Sequence, residues 1–505
     1  MHWADVVASK LSGKQLVSTG ISPSGPIHVG NMREILTGDA IFKASVSAGL
    51  EARFIYLCDD IDPLRKVYPF LDQSYAREIG KPLYRIRAPD GGSSYSEYFL
   101  KPFIETLGKV NVHVEVIRTH DLYANGTFEK AIDIIIKRKE DVARILKEVS
   151  GRDLEAGWFP YNPICKNCGS MKGPVVDGYK YPLVEYHCTC GYSGTSDIRK
   201  DEGKLPWRIE WPAKWYVLGV TVEPMGKDHG AAGGSYDTGK RIVEEIFGYA
   251  APIAPIYERI LLKGSGVMHS STGIAIAASE MMKFSPPEIL RFLIMRNNPN
   301  RHIVFDPGLG ILNLIDEFEK YEKAYFGEDK VSDDDFRRVY ELSVITGEIR
   351  KPEKISYRHL LTLIQIYHGD AELLEALKRN GYEGERISSR MQERIVTLNN
   401  WLDRYAPEDI KFRLQPVDAV VSLNELQKKV LSEFSGKIDS VQWEPEPLHN
   451  LVYEIITSQG IKPQEGFGAF YMALINKERG PRLGYFLSNL DVDFVRKRIT
   501  TALSF

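Results

Sequence analysis

Gly20-Ile21-Ser22-Pro23-Ser24-Gly25-Pro26-Ile27-His28-Val29-Gly30-Asn31 is the stretch on which the reading of this chain turns. The preceding run Gln15-Leu16-Val17-Ser18-Thr19 has a strand pattern, Pro23, Gly25 and Pro26 force a turn, and Met32-Arg33-Glu34-Ile35-Leu36 opens a helical pattern. A strand, a tight turn and a helix N-terminus make a phosphate site, because the first backbone amides of a helix point outward and its dipole favours an anion. Gly25 and Gly30 let a ligand approach the backbone, and His28 can donate to phosphate oxygens. The same pattern also suits a plain structural turn capped by a histidine.

Working outward, Arg53-Phe54-Ile55-Tyr56-Leu57 reads as a second parallel strand, so the N-terminal part is α/β. It is followed by Asp59-Asp60-Ile61-Asp62, at the strand end where open α/β sheets bind ligands; these acids suit an ammonium group or magnesium as well as a solvated loop. The pattern breaks near residues 88–94, then predicts a short strand over 112–117 and one long helix over 129–149. Strand and loop signals resume at Trp215-Tyr216-Val217-Leu218-Gly219-Val220, so residues 85–214 read as an insertion between the halves 1–84 and 215–260 of one nucleotide-binding domain.

Four of the five cysteines fall inside the insertion: Cys165, Cys168, Cys188 and Cys190. Paired thiolates on two turns suit a structural Zn²⁺ in a ribbon over 158–205, with His187 an alternative fourth ligand because the second pair has one intervening residue. Trp207, Trp211 and Trp215 gather where the insertion returns, either to embrace an aliphatic stem or to dock the insertion by apolar packing. Gly226-Lys227-Asp228-His229 suits a ribose and amino-acid pocket. Lys263-Gly264-Ser265-Gly266-Val267-Met268-His269-Ser270-Ser271-Thr272-Gly273 reads as a closing loop over a triphosphate.

At 505 residues the chain is long enough for about three domains. A net charge of −3 with 26% charged, 43% hydrophobic and 11% aromatic residues describes an ordinary globular protein whose nucleic-acid contacts must be local patches. No leader pattern and no run of ~18 apolar residues is present, so the expectation is a cytoplasmic protein with no membrane partner. From about residue 310 onward the periodicity is helical, including Leu360–Tyr367, Ile387–Trp401 and Leu451–Ile456.

Taken in order, these segments, with the opening Met1-His2-Trp3-Ala4-Asp5 and the late Lys477-Glu478-Arg479-Gly480-Pro481-Arg482, resemble the class I lysyl-tRNA synthetases from one end of the chain to the other. The resemblance implies a Rossmann-type catalytic domain with a zinc-ribbon insertion, a stem-contacting helical region with the second signature loop over 261–328, and an α-helical anticodon-binding domain over 329–505. It implies ATP-dependent formation of lysyl-adenylate and transfer to tRNA(Lys), with ATP·Mg²⁺ and structural Zn²⁺; the oligomeric state stays open. His28, Asn31, Lys263, His269, Ser270 and Ser271 take catalytic positions. Pro23, Gly25, His28, Gly30, Asn31, Gly226, Asp228 and Met268 take ATP positions. Gly20, Ser22, Trp211, His229 and Tyr257 take lysine positions, with Asp59 and Asp60 the acids expected to meet its ammonium groups. The signature loop departs from the family in lacking its lysines between Val267 and Gly273, which keeps open a tRNA- or nucleotide-binding relative with impaired activation; a related ligase for another amino acid is a separate alternative.

Overall fold

The computed structural model describes residues 1–151, 153–155, 157–268, 275–345, 349 and 351–505, which fall into two compact units. The first comprises Met1–Met282, Pro287–Asp306 and Lys320–Arg350; the second comprises Lys283–Pro286, Pro307–Glu319 and Lys351–Phe505.

After a short helix α1 (Trp3–Ala8), the apolar runs form β1 (Gln15–Ile21) and β2 (Ala52–Cys58), joined through helix α2 (Met32–Ser47). The strands pair in parallel from Gln15↔Ala52 to Ile21↔Cys58. Helix α3 (Tyr95–Lys109) leads to β3 (Glu115–Arg118), which lies parallel to β2 on its far side and begins three residues later than the expected strand. On the other side of β1, Val17 bridges Val222 and Val222 bridges Ile253, both in parallel. The order is therefore β3-β2-β1 followed by the segments at Val222 and Ile253, all parallel, the doubly wound Rossmann arrangement, with its switch point between β1 and the segment at Val222. Gly38 lets α2 lie directly on this sheet, since a Cβ there would stand 2.9 Å from Phe54 and from Thr19. Opposite, Ile55 and Leu57 pack under Tyr123, Phe128, Ile132, Ile135, Val142 and Ile242.

Two local expectations are corrected. The helix over 129–149 is two, α5 (Glu129–Lys137) and α6 (Lys139–Ser150), after a short α4 (Thr119–Ala124). Between them Arg138 leaves helical geometry (φ −108°, ψ 28°), and its guanidinium holds Asp141 and the Glu245 carbonyl. Residues 215–218 are also not a strand. They complete α7 (Trp207–Leu218), which closes at Gly219 with φ 76°. A short run of Trp, Tyr, Val and Leu is compatible with either state, and here the four-residue spacing of the tryptophans stacks them along one helix face, with centroids 5.9 and 5.0 Å apart.

The insertion carries a three-stranded antiparallel ribbon, Pro174–Lys180, Leu183–Cys188 and Ser193–Asp197, and a short pairing of Asn162–Pro163 with Gly203–Lys204. The second unit is helical. Val430, Phe434, Val452, Ile455, Phe470, Leu474, Phe486 and Ile499 form its core, and the helices Tyr357–Ile366, Ser389–Arg404 and Pro445–Ser458 match the expected apolar periodicity. The first two start at Ser356 and Ser388, whose hydroxyls accept the amides of His359 and Met391, and the third starts at Pro445. Among the described residues, no helix is long and apolar enough to cross a membrane.

Candidate functional site: a nucleotide turn beside a pocket of buried acids

The turn after β1 is held by segments distant in the chain. His28 pairs with Ala277 as an antiparallel bridge, while Val29 donates to Ile276 O (2.9 Å) and Ala278 to Ile27 O (3.0 Å). Tyr95 Oη holds the Ser24 carbonyl at 2.7 Å, fixing the proline-rich segment. A Cβ on Gly30 would stand 2.8 Å from His28 Nδ1 and 3.6 Å from Met268 Cε, so glycine is what admits the imidazole and the buried Met268 beside the turn. His28, Gly30, Asn31 and Met268 are thus brought together. Asn31 Oδ1 accepts from His28 N at 3.1 Å, and the amides of Asn31, Met32, Arg33 and Glu34 close onto the carbonyls of residues 28–31. These amides already have partners within the turn, beside which the side chains of His28 and Asn31 lie.

Across the switch point, Met225–Gly226 pairs in parallel with Ile256–Tyr257, which sets Gly226 beside Tyr257. Lys227 pairs with Glu258 at 2.8 Å and Asp228 with Arg259. Trp211 and Trp207 flank His229, each with ring centroids 5.5 Å away. Burial lowers the His229 pKa against the pull of Asp228, favouring the neutral ring. Gly20, Ser22, Glu34, Trp211, Gly226, His229 and Tyr257 are all half-buried, and the contacts among Gly20, Glu34 and Tyr257 and between Trp211 and His229 make this a candidate crevice.

Two acids at this crevice escaped the sequence reading. Glu34 accepts from Gly20 N (2.8 Å) and Tyr257 Oη (2.9 Å). Glu223 accepts from Trp211 Nε1 (3.0 Å) and Trp215 Nε1. Dense surrounding protein pushes the Glu34 carboxyl up to about 8, against those two hydrogen bonds, even though part of the residue reaches the surface. Burial likewise pushes Glu223 up to about 7, opposed by the two indoles. Both acids are held by neutral donors. A cation placed beside them would favour their charged form, which is the electrostatics an ammonium group would meet there.

Asp59 and Asp60 sit at the end of β2 but face inward to partners of their own. Asp59 is held by Lys214 Nζ and by Thr119 Oγ1 at 2.8 Å, and Asp60 by His120 N at 3.0 Å and His120 Nδ1 at 2.5 Å. Lys263 lies at a hairpin tip, paired with Asp306 at 2.7 Å. His269, Ser270 and Ser271 lie outside the described residues.

The four ribbon cysteines place their Sγ atoms within 4.8 Å of one another, with Cys165–Cys190 at 3.6 Å and Cys168–Cys188 at 3.8 Å. Tetrahedral thiolates ~2.3 Å from Zn²⁺ stand ~3.8 Å apart, whereas a disulfide is ~2.05 Å, so the set fits a zinc ion. Along Leu183–Cys188 the burial alternates, which turns Cys188 inward and His187 outward to Asp177 at 2.7 Å; Cys190, not His187, completes the set.

A parallel sheet in this order, with a histidine-bearing turn at its switch point, has the architecture of a Rossmann-type nucleotide-binding domain. Residues 1–346 match the family model described as tRNA synthetases class I (K). A lysine–tRNA ligase of Picrophilus torridus is 55% identical over 504 residues, covering 100% of this chain and 99% of its own length. Those of Thermoplasma acidophilum (52% identical; 100% and 99% covered) and Archaeoglobus fulgidus (44%; 100% of both) align equally fully. The chain belongs to the class I tRNA synthetases of this (K) family.

Proposed function

We infer that this enzyme joins L-lysine to tRNA(Lys) at the expense of ATP. An oxygen of the lysine carboxylate attacks the α-phosphorus, the bond to the bridging oxygen breaks, and pyrophosphate leaves. The terminal ribose hydroxyl of tRNA then attacks the adenylate carbonyl and AMP departs with the bonding pair. The observation that carries lysine as the substrate is the pair of acids, Glu34 and Glu223, held by neutral donors in an aromatic crevice beside the His28–Asn31 turn.

In this reading Glu34, with Tyr257, meets an ammonium group of lysine, Trp211 and His229 flank its stem, and Gly20 and Ser22 line the same pocket. Asp59 and Asp60 are anchors of the pocket. His28 and Asn31 donate to the triphosphate as charge builds on the departing pyrophosphate, aided by Mg²⁺ arriving with ATP. Gly226 and Asp228 border the nucleoside, and Pro23, Gly25, Gly30 and Met268 shape the turn. Lys263, His269, Ser270 and Ser271 belong to the closing loop. Zn²⁺ on the four cysteines supplies structural cross-linking of the ribbon. We assign residues 1–84 and 215–260 to catalysis, 85–214 to the insertion, 261–328 to the closing loop and tRNA stem, and the helical part over 329–505 to the anticodon, in a cytoplasmic setting.

The test is ATP–pyrophosphate exchange and charging of total tRNA with each of the twenty amino acids. Lysine alone is expected to support both; exchange with another amino acid, or with none, overturns the reading.

A further inference from the structure

Beneath the crevice runs a continuous chain of buried polar side chains. Ser22 Oγ donates to Asp62 Oδ2 (2.6 Å), and Lys204 Nζ bonds Asp62 Oδ1. Lys204 also reaches Glu210 (3.0 Å), which accepts from Tyr123 Oη (2.7 Å) and meets Lys214 (3.4 Å); Lys214 in turn holds Asp59, and Asp59 holds Thr119. Lys204 and Glu210 are 3% and 0% exposed. Burial pulls the Asp62 carboxyl upward, but the charge and hydrogen bond of Lys204, with Ser22, hold it below the usual carboxylate range. The chain links the ends of β1, β2 and β3 to the strand and helix on which the cysteine-bearing insertion returns.

A buried ion cluster adds little net stability, because the desolvation of its members offsets their attraction; its effect is to hold geometry. The geometry in question is that of the crevice. Ser22 lies at one end of the chain. Glu210 and Lys214 lie one turn apart on α7, and the same helix presents Trp211 and Trp215 to Glu223. Turning α7 about its axis moves both indoles away from that acid.

We propose that Lys204 is a positioning residue for the amino-acid pocket: supplied by the returning insertion, it sets Ser22 through Asp62 and the tryptophan face of α7 through Glu210, without touching substrate. This rests on the reading that Ser22 and Trp211 line the lysine pocket. It makes the insertion a determinant of lysine affinity as well as a carrier of cysteines.

The experiment uses the full-length enzyme in lysine-dependent pyrophosphate exchange, with thermal unfolding of every variant. Lys204→Met is expected to raise KM for lysine about tenfold with KM for ATP within about twofold, and Lys204→Arg to recover most of the loss. In a Ser22→Ala background, adding Lys204→Met should cost lysine KM less than in the wild type, because the two act along one path. If Lys204→Met does not fold, Asp62→Asn, which keeps an acceptor for Ser22 but breaks the ion pair, must give the same selective rise. Equal rises for lysine and ATP, an unchanged lysine KM, or full additivity with Ser22→Ala overturns the proposal. Wild-type enzyme that fails to exchange with lysine would instead overturn the functional reading beneath it.

Discussion

Replacing Glu34 by glutamine tests the pocket most directly. The amide keeps an oxygen for Gly20 N, now at 2.8 Å, and its nitrogen can donate to Tyr257 Oη, now at 2.9 Å, so the shape of the crevice survives. What is lost is the charge facing the substrate ammonium. Removing one partner of a buried charge pair costs ~2–5 kcal/mol, and the lower half of that range corresponds to a rise in lysine KM of about 10²-fold. The acid titrates at about 8 in the empty pocket because burial disfavours its charged form. At pH 7 it is therefore mostly protonated, and lysine must displace that proton. Apparent lysine affinity in the wild type should weaken below pH 8, approaching about one decade per pH unit, and Glu34→Gln should remove that slope between pH 7 and 8, leaving below pH 7 only the contribution of Glu223. The stability of the empty enzyme moves the opposite way. A carboxyl raised from 4.5 in the unfolded chain to about 8 lets the folded state bind the extra proton between those values, so stability from this group is present at low pH and is lost as pH rises through that window. Glu34→Gln should accordingly raise the unfolding temperature at pH 8 by an amount worth on the order of 1–3 kcal/mol. The assay is lysine-dependent pyrophosphate exchange from pH 6.5 to 9 with parallel calorimetry. A lysine KM within threefold of wild type in Glu34→Gln, or one that is flat with pH in the wild type, refutes the reasoning.

Three further outcomes are expected. His28→Ala should lower the rate of pyrophosphate exchange by about 10²–10³ while lysine KM stays within a few-fold, measured by steady-state kinetics, because only a donor to the developing charge is removed. Metal analysis should find about one zinc per chain, lost in Cys165→Ser and on prolonged chelation, with a lower unfolding temperature in both cases. Arg291→Met should destabilise the first unit by ~3–5 kcal/mol in denaturant titration, since the fully buried guanidinium bonds Asp39 (2.6 Å) and the carbonyls of Leu342 (2.8 Å) and Val110 (3.1 Å).

What was legible in the sequence was what is encoded locally. Two apolar runs bounded by turn residues became paired parallel strands, the Gly/Pro segment became the turn, and the cysteine spacing became a cluster of metal geometry. What was not legible depends on partners far along the chain. Glu34 reads as an acid in the first turn of a helix, where it would suit the dipole; its meeting with Tyr257, 223 residues away, has no local sign. One clue was present. Gly38 lies four residues on, on the same helix face, and a glycine there marks the side of α2 that lies against the sheet. The partners of Asp59 and Asp60 were hidden for the same reason, since nothing near them in the chain announces Lys214 or His120.

On the proposed reading, the contrast between these acids is what selects the ligand. Asp59, Asp62 and Glu210 each face a lysine of the chain itself, Lys204 or Lys214, and their charge is spent on architecture. Glu34 and Glu223 instead face an amide, a phenol and two indoles, which orient a carboxylate without neutralising it. A neutral amino acid entering the crevice leaves two desolvated acids to stay protonated and gains nothing from them. A cationic one recovers the attraction that burial had suppressed. On the proposed reading, selectivity for a basic side chain comes from giving Glu34 and Glu223 neutral hydrogen-bond donors while three other acids have ion-pair partners, and the ammonium groups of those pairs, Lys204 and Lys214, both lie in the returning part of the insertion.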